Sequence, residues 1–564
     1  MGKCILYFVI FILFFSCKET DVPYKKDTTT IQNGEVTFNQ YCASCHNFKN
    51  SSIGPNLSGI TTEVQYNWLY SFVQEPQKLI AAKDDRAMQL LAKYKLAMPS
   101  FTHLSKTDME GVLAFLHTKN EKIVILKKQG KKKPIKDPIP ERIKKNGSCL
   151  ELDFFLQAPA TAKNKPLARI NKLMPLSIKS NRLFLSDLNG ILYEVKGDTL
   201  ENVLKVQDYF QSFITKPGLA SGLGSFAFHP DYINNGLFYT THTEDPKKSA
   251  NAYFSYHDSI PKKMRWILTE WKQDKPSSTP FEGTHRQLLS VDMPTQVHGI
   301  QEISFNPNAS KTDLDYGKLY VCIGDGGSAE NQFLHLTQST QKIWGTILRI
   351  DPLGNNSENG NYGIPIDNPY VSASEALGEI WAYGFRNPNR VSWDNLSGKL
   401  LASDIGHRQI EEINLIEPGE NYGWPMREGT FALVPLESME DIYEVDANST
   451  ENYIDPILQF DHDDSNAICG GYVYHGKNIA KLKGKYVFGS IVHGKIYAAT
   501  VAEFKLGKQA KIEEFDVCFE GKMSSLKEMT KSNRVDFRLG IDSAGELYVS
   551  TKADAKIYKV SAVN

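Results

Sequence analysis

The sequence predicts a multi-domain protein in which a small all-α domain precedes a large all-β domain, a six-bladed β-propeller. Three observations support this prediction. The chain has 564 residues, too many for one ordinary hydrophobic core. Near its start, apolar residues recur with the period of an α-helix. From about residue 150 onward that period is scarce, and short apolar runs alternate with turns rich in Gly, Asn, Asp and Pro.

The composition is that of a globular protein, with 23% charged and 11% aromatic residues. The formal net charge of −1 argues against nucleic acid, or a highly charged substrate, as a partner. The 8 cysteines are too few for a disulfide scaffold in a chain of this size. We expect the later cysteines to be buried thiols, and a disulfide among them stays open because the sequence does not choose a pairing: Cys149, Cys322, Cys469 and Cys518.

The chain begins with an almost wholly apolar run that ends just before Cys17. The run is too short to span a bilayer, which takes about 20 residues, but it suits a signal peptide. We expect residues 1–17 to be a lipoprotein-type signal peptide with Cys17 lipidated, and ordinary cleavage nearby is the alternative. Residues 18–32 are polar and predict a flexible tether. The protein is then exported to the periplasm or surface of a bacterium and meets the membrane only through this anchor.

A c-type haem attachment signature follows in Cys42-Ala43-Ser44-Cys45-His46. Two thiols at this spacing add across the haem vinyl groups, and the adjacent imidazole becomes an axial iron ligand. Phe38 and Tyr41 share a helical spacing with the two cysteines, which predicts one amphipathic helix through Cys45. The cofactor is therefore covalent haem c, held by Cys42 and Cys45 and ligated by His46.

The second axial ligand is predicted to be Met98, in Met98-Pro99-Ser100-Phe101, where proline holds an irregular segment. Met88, His103 and bis-imidazole ligation stay open as alternatives. Ser105 and Asp108 then have the spacing of a capping box, which predicts that a helix begins there.

Residues 33–120 as a whole resemble a class I cytochrome c. The Cys-Ala-Ser-Cys-His motif, Gly54-Pro55-Asn56-Leu57 and Met98-Pro99-Ser100-Phe101 occur in the order of that family. The resemblance implies that the Pro55 carbonyl accepts a hydrogen bond from the His46 imidazole. His/Met ligation is associated with a raised reduction potential, so this domain should accept electrons readily.

Residues 121–149 are rich in Lys, Arg and Pro, which predicts an extended, solvated basic linker. A basic patch that docks an acidic partner or a membrane is the alternative. From residue 150 to 564, a turn glycine repeatedly leads into a strand, and these copies predict the six blades of the propeller: Gly190-Ile191-Leu192-Tyr193, Gly236-Leu237-Phe238-Tyr239, Gly317-Lys318-Leu319-Tyr320, Gly398-Lys399-Leu400-Leu401, Gly484-Lys485-Tyr486-Val487 and Gly545-Glu546-Leu547-Tyr548.

Several motifs in this region resemble those of the glucose/sorbosone dehydrogenases and occur in that family's order. The resemblance implies a six-bladed propeller that oxidises aldose sugars with pyrroloquinoline quinone (PQQ) and Ca²⁺. The motifs are Phe226-Ala227-Phe228-His229-Pro230-Asp231, Ile323-Gly324-Asp325-Gly326-Gly327, Gly384-Phe385-Arg386-Asn387-Pro388, Glu412-Ile413-Asn414-Leu415-Ile416, Asn421-Tyr422-Gly423-Trp424-Pro425 and Gly470-Gly471-Tyr472-Val473-Tyr474.

Oxidation of a sugar hydroxyl needs a base for the O–H proton and an acceptor for the hydride. Histidine suits the base role near neutral pH, and His298 falls where the family has its catalytic histidine. By resemblance, Asp325 orients this imidazole. Arg386 would stabilise negative charge on the reducing quinone, with Asn387 as a donor beside it.

The carbonyls of Gly406 and His407 match backbone oxygens that hold calcium in the family, and calcium prefers oxygen ligands. The basic position after Tyr-Val-Tyr, which pairs with a PQQ carboxylate, is His475 in this chain. A later basic position is His493, with Lys495 nearby. Because PQQ is a tricarboxylate, these exchanges should weaken its binding. The stretch Asp461-His462-Asp463-Asp464 is expected to be an exposed acidic loop rather than a cation site.

Together these features predict an exported quinohaemoprotein-type dehydrogenase. A small-molecule aldose sugar or related alcohol is oxidised in the propeller, and electrons pass to haem c and then to another cytochrome or an oxidase. One alternative is a propeller without PQQ that binds carbohydrate or protein and carries the cytochrome. The other is a calcium-dependent lactonase-type hydrolase, because the same architecture supports several functions.

Overall fold

The computed structural model describes residues 24–43, 45–48, 53–119, 133–216 and 220–564. The predicted signal peptide, the lipidation of Cys17 and the first part of the tether lie outside these ranges. Within them, no helix combines the length and apolar character that a membrane span needs. The described chain is a small helical domain followed by a large, all-β, propeller-like domain, as the sequence predicts.

The N-terminal domain is built on the crossing of its first and last helices. Gly34 and Gly111 meet at the crossing, where a Cβ on Gly34 would lie 1.9 Å from the Gly111 carbonyl oxygen. The last helix begins at the predicted capping box of Ser105 and Asp108. The helices are α1 (Thr28–Tyr41), α2 (Ile60–Glu63), α3 (Tyr66–Gln74), α4 (Pro76–Ala81), α5 (Asp85–Tyr94) and α6 (Lys106–His117).

Two boundaries differ from the sequence-based expectation. Residues 28–32, placed in the predicted tether, form the first turns of α1, because the Asp27 carboxylate caps the helix by accepting from the Thr30 N–H at 2.8 Å. Residues 144–149, placed in the predicted linker, belong to strand β1 (Lys144–Gln157). Their backbone pairs with a neighbouring strand, so the all-β part starts earlier than its apolar pattern suggests.

Four antiparallel sheets each contain four strands, joined mostly in sequence order. They are β2 (Ile170–Pro175), β3 (Leu183–Asp187), β4 (Ile191–Lys196) and β5 (Thr199–Lys205); β6 (Leu223–Phe228), β7 (Leu237–Glu244), β8 (Met264–Gln273) and β9 (Gly283–Met293); β10 (Glu302–Phe305), β11 (Leu319–Ile323), β12 (Thr346–Ile350) and β13 (Ile380–Tyr383); and β14 (Pro388–Trp393), β15 (Leu400–Asp404), β16 (Ile410–Ile416) and β20 (Leu458–Asp461). Between β16 and β20 the chain adds a small sheet of β17 (Arg427–Glu428), β18 (Phe431–Val434) and β19 (Ser438–Tyr443).

A nine-stranded sheet completes the domain. In it, β1 lies between β24 (Glu513–Phe519) and β28 (Lys556–Val563). It is parallel to β24 and antiparallel to β28. A disulfide between Cys149 and Cys518 also fastens β1, which settles the pairing that the sequence left open. The remaining strands are β21 (Ile468–Val473), β22 (Lys485–Ser490), β23 (Ile496–Thr500), β24 (Glu513–Phe519), β25 (Lys522–Ser524), β26 (Phe537–Ile541), β27 (Leu547–Thr551) and β28 (Lys556–Val563), with short helices α7 (Tyr232–Asn235) and α8 (Leu526–Thr530) in connections.

The repeated turn glycines lie where the sequence predicts turns. All six have positive φ, between 66° and 97°, and five of them lead into the second strand of a four-stranded run. Gly190 instead leads into β4, the third strand of its sheet. Only glycine adopts this backbone without strain, so the repeat marks one corner of each run.

The first strands of the runs surround a common axis. Side chains bridge them near their starts: Asn171 donates to the Gly224 carbonyl at 2.7 Å, and Arg390 donates to the Gln301 and Asn171 carbonyls at 3.0 and 2.7 Å. Arg538 of β26 closes the ring by donating to Asn171 Oδ1 at 3.1 Å. We call the face from which β2, β6, β10, β14, β21 and β26 start the mouth of the propeller.

Candidate functional site

The haem motif forms a turn directly after α1. The predicted helix through Cys45 is wrong, because α1 ends at Tyr41 and Cys42 is its C-cap. The Cys42 carbonyl accepts from the backbone N–H groups of Cys45 and His46, each at 3.0 Å, which folds the chain back. Neither cysteine of the motif is in a disulfide, and Cys42 is buried. The motif is therefore compact, and both cysteines are available for the thioether bonds of a c-type haem.

The His46 ring is held in a fixed tautomer. Its Nδ1 lies 2.9 Å from the Pro55 carbonyl oxygen, the bond that the resemblance implies. Because a carbonyl only accepts, Nδ1 carries the proton and Nε2 keeps the lone pair that an iron ligand needs. Burial lowers the pKa of His46, which favours the same neutral form. Gly54 packs on the ring, where a Cβ would lie 2.3 Å from Cε1. These residues fit a c-type haem.

The segment between α5 and α6 offers the second axial ligand. Met98 lies there, partly buried. Met88 is on α5 and is 40% exposed, a poor environment for a haem ligand. His103 packs edge-on against Tyr41, with ring centroids 5.1 Å apart. Met98 stays the predicted ligand.

At the mouth, His298 and Asp325 form a buried pair. His298 Nδ1 lies 2.7 Å from Asp325 Oδ1, although 27 residues separate them in sequence. The same carboxylate accepts from the Gly327 N–H at 2.7 Å and from Trp424 Nε1 at 3.0 Å. His298 also has a φ of 55°, an uncommon backbone for a residue other than glycine. Such strain persists only where the surroundings enforce it, and it is common at functional sites.

Arg386 lies in the same buried cluster. Its Nη1 donates to the carbonyls of Ile405 and Gly406 at 2.9 and 2.8 Å, and its Nη2 donates to the Glu330 carboxylate. Its guanidinium carbon also lies 5.6 Å from the ring centroid of Trp424, the residue that holds Asp325. The structure therefore brings together three predicted residues: His298, Asp325 and Arg386.

Glu330 is a site residue that the sequence reasoning missed. It accepts from Arg386 and lies 3.0 Å from His407 Nδ1. Burial alone would raise the pKa of Glu330, but Arg386 and His407 hold it well below its usual range. A carboxylate five residues after Asp325 carries no distinctive sequence signal, and only the fold aims it at Arg386.

A second unpredicted carboxylate shapes the loop that follows Gly406. Glu428 Oε1 accepts from four consecutive backbone N–H groups at 2.8–3.0 Å, those of His407, Arg408, Gln409 and Ile410. Because four backbone N–H groups point to one carboxylate oxygen, residues 407–410 are held in a tight turn around it. The Gly406 carbonyl, predicted as a calcium ligand, is bonded by Arg386, and a second cation at that oxygen would be repelled. The Gly406 carbonyl is therefore a poor calcium ligand here, whereas the His407 carbonyl stays a predicted one.

The structure contradicts the assignment of His475 to the cofactor. His475 Nε2 lies 2.6 Å from Asp394 Oδ1, just beyond the end of β14. That strand starts beside Arg386 and runs away from the mouth over a length of about 20 Å. His475 therefore lies at the opposite end of the propeller.

The other two basic positions are occupied or neutral. His493 has a pKa lowered to about 4, first by burial and then by nearby lysines and arginine, so it carries no charge at neutral pH. Lys495 pairs with Glu514 at 3.0 Å. Neither supplies the unpaired cation that a bound carboxylate would need.

Cations that the sequence reasoning missed lie at the mouth around β26. Arg534 pairs with Asp536 at 2.8 Å, and Arg538 follows on the strand. Lys552, between β27 and β28, is 5% exposed and forms no ion pair with any residue that the structure describes. Burial and then Arg538 hold its pKa well below the usual range. Arg169 joins them before β2, and its pKa falls to about 10 chiefly through burial.

In this basic cluster, defined as Arg169, Arg534, Arg538 and Lys552, the lysine is buried and the three arginines are partly buried. Like charges at such depth are unfavourable without an anion. Asn387, across the mouth, has a buried Oδ1 without a hydrogen-bond partner among the described residues. The mouth thus fits a polyanionic cofactor such as PQQ. The spacing of Arg534 and Arg538 before the last turn glycine is the sequence signal that could have revealed it.

The fold and the site together define a propeller-type domain with a buried polar site and an attached haem-type domain. Comparison with known families agrees: the family described as Glucose / Sorbosone dehydrogenase matches residues 174–559, and Cytochrome c matches residues 31–120. The chain belongs to the glucose/sorbosone dehydrogenase family and carries a cytochrome c domain at its N-terminus.

Two curated relatives and one solved structure illustrate the similarity. HIPL1 protein from Arabidopsis thaliana is 28% identical over 314 residues, covering 49% of this chain and 44% of the relative. Aldose sugar dehydrogenase YliI from Escherichia coli is 27% identical over 249 residues, covering 44% of this chain and 58% of the relative. The chain thus spans about half the length of these relatives. The crystal structure of the soluble E. coli aldose sugar dehydrogenase in the apo-form has a TM-score of 0.50 at 18% identity, covering 73% of this chain and 99% of that one. It shares the fold.

Proposed function

We propose that the protein is an exported dehydrogenase, lipid-anchored at Cys17, that oxidises an aldose sugar or a related alcohol at the mouth and passes the electrons to its own haem. The downstream acceptor is another cytochrome or an oxidase. The observation that carries the proposal is the buried His298–Asp325 pair beside Arg386, in a chain that also contains a haem attachment motif. The E. coli relative of this domain is named as an aldose sugar dehydrogenase, which supports a sugar substrate.

His298 acts as the general base. Asp325 holds the Nδ1 proton, so Nε2 has the lone pair that removes the hydroxyl proton from the substrate. The Asp325 carboxylate then stabilises the imidazolium that forms, while the Gly327 N–H and Trp424 keep the carboxylate in place. Each CH–OH group that becomes C=O releases two electrons and two protons, and His298 takes the first proton.

PQQ supplies the acceptor for the hydride when it is bound. Arg386 and Asn387 would hold its quinone side, and the basic cluster would hold its carboxylates. Two electrons then leave the mouth one at a time, because a haem iron accepts a single electron. A one-electron acceptor of the protein would therefore be needed twice in each turnover. No step of this proposal depends on calcium.

We also propose six blades for the propeller. The nine-stranded sheet supports this count because it contains two four-stranded runs, β21–β24 and β26–β28 completed by β1. The N-terminal strand would then close the ring against the last blade.

The test uses purified haem-loaded protein. PQQ is titrated by calorimetry, and aldoses are then added while haem absorbance is followed. Haem reduction is expected, and it should disappear in His298→Ala. His475→Ala is the matched control, since His475 is also paired with a buried aspartate but lies at the opposite end of β14. No PQQ binding at micromolar concentration would refute the proposal in favour of a binding module, and lactone hydrolysis without haem reduction would favour a hydrolase.

A further inference from the structure

The haem domain contacts the propeller on two sides of the mouth. On one side, Lys95 pairs with Asp463, and the ring of Tyr94 lies 4.9 Å from the guanidinium carbon of Arg408. On the other side, Lys216 Nζ lies 5.8 Å from the ring centroid of Tyr41. Arg408 and Asp463 flank β16 and β20, whereas Lys216 lies between β5 and β6. The small domain therefore spans the opening.

The contacting residues of the haem domain flank its haem ligands. Tyr41 immediately precedes Cys42, and Tyr94 and Lys95 immediately precede the segment of Met98. His103, beyond Met98, also faces the propeller: its pKa is lowered by burial and then by Lys216. The edge of the domain that carries the haem thus faces the mouth.

The described part of the basic linker, residues 133–143, is attached to the propeller beside these contacts. Arg142 pairs with Asp461 at 2.7 Å and with Asp463 at 3.1 Å, and the Ile135 N–H donates to the Ile442 carbonyl at 2.9 Å. Most of residues 133–143 are exposed and irregular, as expected for an extended, solvated connection, but paired acids and a backbone hydrogen bond also hold this segment on the propeller. Ile135 and Ile139 also pack against an apolar cluster of the propeller that contains Ile442 and Trp424.

The acidic loop at 461–464 joins this contact to the site. Asp461 and Asp464 are buried, so the expectation of an exposed acidic loop is wrong for these two residues, whereas Asp463 is exposed. His462 Nε2 lies 2.9 Å from Glu411 Oε1, and the other oxygen of Glu411 accepts from the Gly406 N–H at 3.2 Å. The loop thus touches the haem domain through Asp463 and the catalytic mouth through His462.

We infer that the mouth of the propeller is a docking seat for the protein's own haem domain, with Asp463, Arg408 and Lys216 as the seat. Arg408 follows His407 of the site and contacts Tyr94, which lies next to the predicted Met98 segment. It therefore links the site of the propeller to the haem domain. Electrons then leave the mouth within one chain rather than by collision between two chains. The electron-transfer part of this inference rests on the proposed function, whereas the docking does not.

Zero-length carbodiimide cross-linking of the full haem-loaded chain tests the docking, because it joins a lysine to a carboxylate only when the two touch. Mass spectrometry should find the Lys95–Asp463 cross-link. The Lys25–Glu110 pair, at 2.8 Å within the haem domain, is the internal positive control. Lys95→Arg keeps the charge but removes the reactive amine, so the 95–463 product alone should vanish. Absence of that product in the unmodified protein, with Lys25–Glu110 present, would overturn the inference.

A kinetic experiment tests the electron route. Haem reduction in the PQQ-loaded protein should be first order and independent of protein concentration, and Lys95→Glu should slow it about tenfold. The exchange of charges in Lys95→Glu/Asp463→Lys should restore most of the rate. A rate proportional to protein concentration would overturn the single-chain route. If cross-linking succeeds but no sugar reduces the haem, the proposed function fails and the docking stands; if sugars reduce the haem without the cross-link, the docking fails.

Discussion

Replacing Asp325 with Asn tests the catalytic assignment most directly. The two carboxylate oxygens accept from three donors: His298 Nδ1 and the Gly327 N–H at 2.7 Å each, and Trp424 Nε1 at 3.0 Å. An amide has only one oxygen, so its NH2 group must face either the histidine side or the tryptophan. Facing the histidine, it forces the proton of His298 onto Nε2 and removes the base. Facing the tryptophan, it sets two donors against each other and leaves no anion to stabilise the imidazolium.

The size of the effect follows from the role of the base. General-base catalysis contributes about 10²- to 10⁴-fold to the rate. At about 1.4 kcal/mol per tenfold, Asp325→Asn should raise the barrier by about 3 to 5 kcal/mol, seen as a loss of that factor in kcat/KM. The free energy of unfolding should fall by about 1 to 3 kcal/mol, because one buried donor loses its acceptor.

The assay is steady-state sugar oxidation by PQQ-loaded protein with an artificial electron acceptor, so that haem transfer does not limit the rate. Asp394→Asn is the matched control. Asp394 is also a buried aspartate bonded to a histidine, His475, but at the far end of β14. It should lose stability and keep kcat/KM. A decrease of less than about threefold in Asp325→Asn, or an equal decrease in Asp394→Asn, would refute the role of Asp325.

Three further predictions concern stability and the haem. Burial raises the pKa of Asp404 to about 7 and that of Glu412 to about 8, so the folded state holds more protons than the unfolded state above about pH 4. Stability should therefore fall as the pH rises from about 4 to about 8, and Glu412→Gln should flatten this slope in thermal melts; an unchanged slope would contradict the assignment. Gly54→Ala places a Cβ 2.3 Å from Cε1 of His46, so covalent haem per chain should drop in a haem stain, and a normal yield would show that the loop can move. Met98→Ala should abolish the far-red sulfur-to-iron charge-transfer band, whose persistence would point to another ligand.

Local spacing was enough to predict the haem attachment motif, and the resemblance to a family was enough to predict the His298–Asp325 pair. The Cys42-to-His46 motif is a covalent requirement that holds in any fold. His298 and Asp325 were matched through motifs that precede and follow one antiparallel hairpin, β10 and β11, whose pairing returns the chain to the mouth. The contact between these two residues depends only on the pairing of β10 with β11. The order of the family's motifs along the chain was therefore enough to predict it.

Features built from distant segments could not be predicted in this way. His475 directly follows the motif that ends at Tyr474. Because β21 starts at the mouth, the residues after its last residue lie at the opposite end of the sheet, and His475 is one of them. The Cys149–Cys518 bond joins residues 369 positions apart, and only the closure of β1 against β24 brings them together. The basic composition of the linker predicted its solvent exposure but not its attachment to the propeller, because Asp461, which binds Arg142, lies more than 300 residues later.

Paired charges and an excess of basic side chains lie on different sides of the mouth, and this distribution affects where an anionic cofactor would bind. Next to β14, the charge of Arg386 is already balanced by Glu330, with Glu428 close behind. Next to β26 and β2, the basic cluster places three arginines and one lysine around a single ion-paired carboxylate, that of Asp536. A polycarboxylate gains most where cations lack partners and is repelled where carboxylates already occupy them. The basic cluster on the β26 side would therefore hold its carboxylates, while His298 and Arg386 would serve its reactive part, on the side where Arg408 contacts Tyr94 of the haem domain.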